Sequence, residues 1–245
     1  MMNATVSIFI PAYNAAETLP SVIDRIEPDL WKSVNRVYMI NDGSTDRTTE
    51  VMGEIAIKNS SCVPVSQKVN LGYGATVKHG LALCRNDGCA FAVCLHADGQ
   101  YPPESIKLFV ATMRRDGVDL MQGSRIASGT ALSGGMPLYK YAAGRLLTAL
   151  ENRIFRLAMT DYHSGFLVYG RRTLDTVPFD RLGGGFDFDL EVIATARLAG
   201  LRIGELPIPT RYAGEKSYLN PMVYGMRVLR VLIRYHTGRY ALGTL

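Results

Sequence analysis

The sequence is short of most features that would take it outside the ordinary globular class. No uncharged stretch approaches the ~18–20 residues that a membrane span requires. The N-terminal apolar run VSIFIPA is brief and lacks the basic leader of a secretory signal. Cysteine is scarce: Cys62, Cys84, Cys89 and Cys94 form no C-x-x-C pair, and their spacing with His96 fits no zinc pattern. They read as small buried hydrophobes in a reducing cytoplasm. No dense Lys/Arg run with interleaved aromatics is present, which ranks nucleic acid last among partners. The glycine-rich stretch NLGYGATVKHG (70–80) lacks a third glycine and matches no Walker spacing, which argues against a dinucleotide fold.

What is present is a chain of 245 residues, long enough to bury about three-quarters of its unfolded surface as one large domain or a domain with an appendage. Lys and Arg outnumber Asp and Glu by 27 to 22, for a net charge of +5 and a pI near 9.0. Mild basicity suits an anionic partner such as a nucleotide or a phospholipid surface.

Short apolar runs at 5–10, 36–40, 62–66, 89–95 and 118–123 read as buried strands. Helical patterns at 15–27, 45–58, 74–86 and 104–115 alternate with them. This rhythm predicts an α/β fold with a doubly wound, mostly parallel sheet, whose ligands bind at the carboxyl ends of the strands. Tyr13, Asn14, Asn41, Asp42, Asn70, His96, Asp98 and Arg125 all fall at such ends. Beyond residue 124 come a Gly/Ser-rich loop, helices at 138–157 and 187–199, a turn into a strand at 161–169, and a β stretch at 202–212. Residues 221–240 form a helix with Arg227, Arg230 and Arg234 on one side. Such a basic amphipathic helix either lies on anionic lipid or packs on the domain with a solvated arginine stripe.

Individual motifs are weak. Asp42 in INDGSTDRT stands at a strand end, where an acid either makes a turn or accepts from a ribose hydroxyl or a base N–H. Lys78 faces inward beside glycines that let backbone pass close to a ligand. In HADGQYPPE (96–104), Asp98 and Gln100 offer hard oxygen ligands for a divalent metal.

Taken in order, IPAYNAAETL (10–19), NDGSTDRT (41–48), NLGYGATVKHG, HADGQYPPE, GSR (123–125), DYHSGF (161–166) and TRYAGEKS (210–217) resemble the family-2 glycosyltransferases. They are most similar to the branch that glycosylates dolichyl or polyprenyl phosphate. The resemblance spans about residues 5 to 218 and implies a GT-A catalytic domain over 1–218, followed by the basic amphipathic tail at 219–245. It implies a donor pocket lined by Pro11, Ala12, Tyr13, Glu17, Asp42, Lys78, His96 and Ala97. It places Mg²⁺ or Mn²⁺ on Asp98 and Gln100. Arg125, Arg211, Lys216 and Ser217 would neutralise donor and acceptor phosphates, and Asp161 would stand near the reacting carbon, with Asp189 and Glu191 as competitors for that role. Asp98 and Asp161 are the catalytic candidates.

Three motifs depart from the family pattern: Ala15 where Glu is usual, Lys216-Ser217 where the order is usually reversed, and His96 where the metal motif normally opens with Asp. One carboxylate with the donor's own phosphate oxygens is enough for Mg²⁺. His96 is therefore read as contacting the nucleotide or supporting the site from behind, with direct ligation of a softer ion or plain packing as alternatives.

The implied reaction is a single inverting displacement from a GDP-mannose- or UDP-hexose-type donor onto a lipid phosphate. A phosphate monoester, with a second pKa near ~6, arrives already anionic and needs no general base. Attachment to the cytoplasmic membrane face would be peripheral or through a membrane-protein partner. The competing readings are a transferase for soluble or protein-linked glycans and a non-catalytic nucleotide-sugar-binding protein.

Overall fold

Strand β1 (Val6–Ala12) is buried along its whole length except at half-buried Pro11, as a continuous apolar run demands when both sheet faces are covered. It anchors a seven-stranded sheet in a computed structural model that describes residues 5–209 and 221–243. The other strands are β2 (Val34–Asn41), β3 (Cys62–Ser66), β4 (Phe91–Cys94), β5 (Leu120–Ser124), β6 (Leu167–Gly170) and β7 (Ile203–Pro207). Their order is β3-β2-β1-β4-β6-β5-β7. All run in one direction except β6, which pairs antiparallel with both β4 and β5.

The helices are α1 (Leu19–Asp24), α2 (Pro28–Trp31), α3 (Thr48–Lys58), α4 (Tyr73–Asn86), α5 (Ile106–Asp116), α6 (Leu138–Phe155), α7 (Arg171–Thr176), α8 (Phe188–Leu198) and α9 (Pro221–His236). Alternate strand residues enter two cores. Ile8 and Ile10 meet Leu19, Val22, Ile106, Phe109 and Met113 of α1 and α5. Phe9 meets Val77 and Leu81 of α4, in a core that α8 and α9 complete with Ile193, Val228 and Val231. Each such side chain contributes about 1.5–3 kcal/mol by burial. All four cysteines are buried and unpaired within these cores.

The segment 15–27 differs from the single helix expected. It holds only α1, with Pro20 in its first turn, before α2 restarts at Pro28. Proline is tolerated in a first turn but not inside a helix, so the chain breaks before each one. The freed residues 13–18 become a strand-end loop.

The arginine stripe expected on α9 is also corrected. Arg227 Nη1 lies 3.1 Å from Asp187 Oδ1 and Arg234 Nη1 lies 3.2 Å from Glu191 Oε1, so two of the three arginines turn back onto the domain. Val228, Val231 and Leu232 are buried beside α6 and α8, while Met226, Leu229 and Ile233 are exposed.

Candidate active site

The loops after β1 and β2 are fastened together by side chains. Ser44 Oγ accepts from the Asn14 amide at 2.9 Å and Thr48 Oγ1 from the Ala15 amide at 2.8 Å. Asn14 Oδ1 in turn accepts from the Thr45 amide at 2.9 Å, with Asn14 itself at φ 49°. Ala15, where the family usually has Glu, is buried beneath this loop. The brace leaves Tyr13 and Glu17 exposed, with Pro11 and Ala12 at the end of β1.

Asp42, buried at the end of β2, accepts from the Leu71 amide at 2.8 Å and the Gly72 amide at 3.0 Å. It thereby ties the loop before α4 to the sheet. Between them Gly43 has φ +66°, and a Cβ there would fall 2.5 Å from the Asn70 nitrogen, so no larger residue fits. Lys78 Nζ donates to the Leu182 carbonyl and lies 5.9 Å above the Phe188 ring, in contact with the segment that leads into α8.

The loop after β4 carries His96, buried Ala97, Asp98 and Gln100. Asp98 Oδ1 accepts from the Gln100 amide at 3.0 Å. The His96 ring is enclosed: its Nε2 lies 3.3 Å from Tyr73 Oη, and its centroid lies 4.8 Å from that of Tyr101. On its other side a Cβ at Gly165 would lie 2.5 Å from His96 Cε1. The glycine of DYHSGF is therefore what lets that loop close onto the loop after β4. Burial pushes the imidazole below its ordinary pKa, against the opposing pull of Asp98, so His96 is neutral. Among the described residues, no group of three or more His, Cys, Asp or Glu could hold a metal by itself.

Asp161 lies beside this assembly, almost fully buried. Burial alone would raise its pKa, but the Arg125 guanidinium and the hydrogen bonds it makes hold the carboxyl below the usual range. Arg125 Nε reaches Asp161 Oδ2 at 2.8 Å and Nη2 reaches Oδ1 at 3.1 Å, while the His163 amide donates to Oδ1 at 2.8 Å. An ionised carboxylate with both oxygens occupied is a weak base.

Asp189 is the opposite case. Burial raises it to about 7 despite the hydrogen bond from Tyr73 Oη to Oδ2 at 2.7 Å, and its Oδ1 has no partner. Glu191 instead accepts from Arg234 and, at 2.6 Å, from Tyr240 Oη, which makes it the anchor of the C-terminal segment.

Tyr13, Asp42, His96, Asp98 and Arg125 lie in the loops that follow β1, β2, β4 and β5, while Lys78 is engaged with the segment before α8. Arg211, Lys216 and Ser217 lie outside the described residues. Tyr73, Tyr101, His163 and Glu151 went unremarked as site residues in the sequence. The first three sit inside the quoted motifs. Glu151 is signalled only as the single acid of α6.

The family model described as "Glycosyl transferase family 2" matches residues 7–177. A UDP-N-acetylglucosamine–dolichyl-phosphate N-acetylglucosaminyltransferase of Methanococcus voltae is 24% identical over 86% of this chain and 88% of its own length. The low-salt glycan biosynthesis hexosyltransferase Agl6 of Haloferax volcanii is 28% identical over 94% of this chain and 53% of its own length. Glucosyl-3-phosphoglycerate synthase from Mycobacterium tuberculosis, solved with Mn²⁺, UDP and phosphoglyceric acid, superposes with a TM-score of 0.66. It is 22% identical over 97% of this chain and 78% of that one, which establishes the shared GT-A fold. The same enzyme with Mg²⁺ and UDP gives a TM-score of 0.64 at 21% identity, over 96% of this chain and 79% of that one.

Proposed function

The chain belongs to glycosyl transferase family 2, and from that premise we propose that it transfers a hexose, with inversion, from a nucleoside-diphosphate sugar to a polyprenyl or dolichyl phosphate. The observation that carries the acceptor class is the state of Asp161. Its carboxylate is held ionised with both oxygens occupied, so it is fitted to position Arg125 and not to take a proton. An alcohol acceptor needs a base, whereas a lipid monophosphate arrives anionic. The dolichyl phosphate named for the Methanococcus relative supports the same class.

In this reading Pro11, Ala12, Tyr13, Glu17, Asp42, His96 and Ala97 form the donor pocket, and Lys78 steadies the wall that α8 contributes. Phosphate neutralisation is assigned to Arg125, Arg211, Lys216 and Ser217. The donor set suits a divalent cation of the Mg²⁺ or Mn²⁺ type. One carboxylate, Asp98, and the Gln100 amide carbonyl are hard oxygens, and such ions share their remaining positions with water and substrate phosphates. When bound, the ion neutralises the departing diphosphate. The protein's own contribution is preorganisation: the braced strand-end loops hold reactants in place and keep donors aimed where charge develops.

Residues 1–218 form the catalytic unit in this proposal and 219–245 a basic amphipathic segment, of which α9 packs on the domain. No helix of the described residues is long and apolar enough to cross a membrane. The exposed apolar residues of α9 are proposed to bring the enzyme to the cytoplasmic face of a membrane.

One second reading has an observation in its favour. Asp189, buried with a pKa of about 7 and an unpartnered oxygen, has the properties of a general base for a hydroxyl acceptor. The deciding experiment offers a panel of nucleotide sugars with three acceptors: a short polyprenyl phosphate, the matching polyprenol, and a soluble glycan. Transfer to the phosphate alone, surviving in Asp189→Asn, is expected. Transfer to a hydroxyl that Asp189→Asn abolishes would establish the second reading. Nucleotide binding without turnover on any acceptor would leave only a binding protein.

A further inference from the structure

Three residues that the reaction does not obviously use meet behind Asp161. Glu151, near the C-terminal end of α6, is fully buried, and its Oε2 lies 3.4 Å from His163 Nε2. The other imidazole nitrogen, Nδ1, lies 3.0 Å from Tyr224 Oη on α9, with the two rings edge to face. Neither Glu151 oxygen nor His163 Nε2 has any hydrogen-bond partner beyond this close approach. A buried carboxylate without a donor is strongly disfavoured, so this contact must carry a proton if the site is to be satisfied.

The imidazole is fully satisfied if every member is uncharged. A protonated Glu151 donates to Nε2, the Nδ1–H donates to Tyr224 Oη, and no donor or acceptor of the imidazole is left over. The alternative, an imidazolium–carboxylate pair, desolvates two charges; Asp161 attracts the cation, but Arg125 opposes it and Asp161 repels the Glu151 carboxylate. Burial pushes Glu151 up to about 8, reinforced by Asp161, and pushes His163 down to about 4. The charged and titratable groups facing the relay are Asp161 and Arg125 from the reaction loops, with Asp189 also acting on Tyr224; Glu151 in turn acts on Tyr162, as does Glu205 of β7.

We propose that Glu151, His163 and Tyr224 form a hydrogen-bonded relay of neutral groups through which α6 and α9 set the position of Asp161, making His163 a positioning residue of the transfer. The link is short, because the His163 amide itself donates to Asp161 Oδ1 at 2.8 Å. Asn152, one residue from Glu151, braces the same loop through the Met159 amide at 2.9 Å and carbonyl at 2.7 Å. The kinetic part of the proposal rests on the transferase reading; the protonation part does not.

The test uses the full chain with ¹⁵N-labelled histidine and ¹³C-labelled aspartate carboxyls. At pH 7 the His163 resonances should report a neutral ring with the proton on Nδ1. Glu151→Gln, which keeps a neutral donor, should leave the Asp161 carboxyl resonance unshifted and kcat within twofold of wild type. Glu151→Met, which is similar in size but cannot donate, should shift the Asp161 resonance and lower kcat about tenfold, with the donor Kd unchanged. An imidazolium at pH 7, or equal behaviour of the Gln and Met variants, overturns the relay. An enzyme inactive on every acceptor would defeat the transferase reading, and the two resonances would still decide the relay.

Discussion

Arg125 and Asp161 grip each other at two points, Nε to Oδ2 at 2.8 Å and Nη2 to Oδ1 at 3.1 Å, with the carboxylate side chain only 3% exposed. Removing the cation strands a buried carboxylate. Truncating one partner of such a pair costs about 3–5 kcal/mol, far more than an exposed pair would.

Arg125→Ala should therefore lower the stability of the domain by about that amount near neutral pH, and the loss should depend on pH in a definite direction. In the wild type the Asp161 pKa is held below its unfolded value, so its contribution is present above that value and lost as pH falls through the folded one. In the variant, burial is opposed mainly by the His163 amide, and the carboxyl is raised relative to wild type, so its ionisation no longer stabilises the fold as it does there. Urea unfolding of the two proteins should differ most above pH 7 and converge toward pH 4. A gap that stays constant over that range would mean that Arg125 acts through packing alone.

Asp98 is expected to behave differently because its one hydrogen bond is to a neighbouring amide within a turn. Asp98→Ala should leave the unfolding midpoint nearly unchanged while abolishing turnover and cation-dependent binding of a nucleoside diphosphate. His96→Ala should lower activity only in part. It should also destabilise, since it empties the space between Tyr73, Tyr101 and Gly165. Calorimetric titration of nucleotide with and without Mg²⁺ checks the first claim. A variant lacking Asp98 that still binds more tightly with the cation would refute it.

The strand-end placement of these residues was legible because alternation of short apolar runs with helical periods dictates a parallel sheet, and a parallel sheet has one functional edge. The reversed strand β6 between β4 and β5 was not, since an apolar run such as FLVY fits either direction. Likewise, the period of α9 reveals which residues share a face but not which face turns inward. Arg227 and Arg234 looked like a solvated stripe, and only the positions of Asp187 and Glu191 in space make them inward ties. Glu151 was the hardest to read. A lone acid on an amphipathic helix is usually solvated, and its burial follows from where the DYHSGF loop crosses α6.

Asp42 was read as a turn residue or a donor contact, and in the structure it holds the Leu71 and Gly72 amides. A carboxylate has lone pairs for both tasks. Asp42→Asn should weaken nucleoside diphosphate binding by roughly 1–3 kcal/mol, the scale of a charge-assisted hydrogen bond. Because one amide loses its acceptor, hydrogen exchange at residues 71 and 72 should quicken as well. Unchanged affinity with faster exchange would assign Asp42 to holding the loop alone.

The last prediction concerns what α9 presents to its surroundings. Met226 and Ile233 are each 64% exposed, Leu229 is exposed between them, and Arg230 stands on the same side. The adjacent α6 exposes Leu146 and Leu150 along with Arg145 and Arg153. Neither helix shows an acid to solvent, since α9 contains none and Glu151 of α6 is buried. Apolar side chains with cations and no exposed anion are what an anionic bilayer surface selects. Replacing Met226, Leu229 and Ile233 with Ser should abolish co-sedimentation with vesicles containing phosphatidylglycerol. Arg230→Gln should weaken it by about 1 kcal/mol, in a way that added salt removes. Arg227→Gln and Arg234→Gln should instead lower the unfolding temperature, because those guanidiniums tie α9 to Asp187 and Glu191. Turnover on a short, soluble polyprenyl phosphate should survive the triple Ser substitution. A wild-type protein indifferent to anionic vesicles at low salt would remove the membrane from the proposed function and leave this face to another partner.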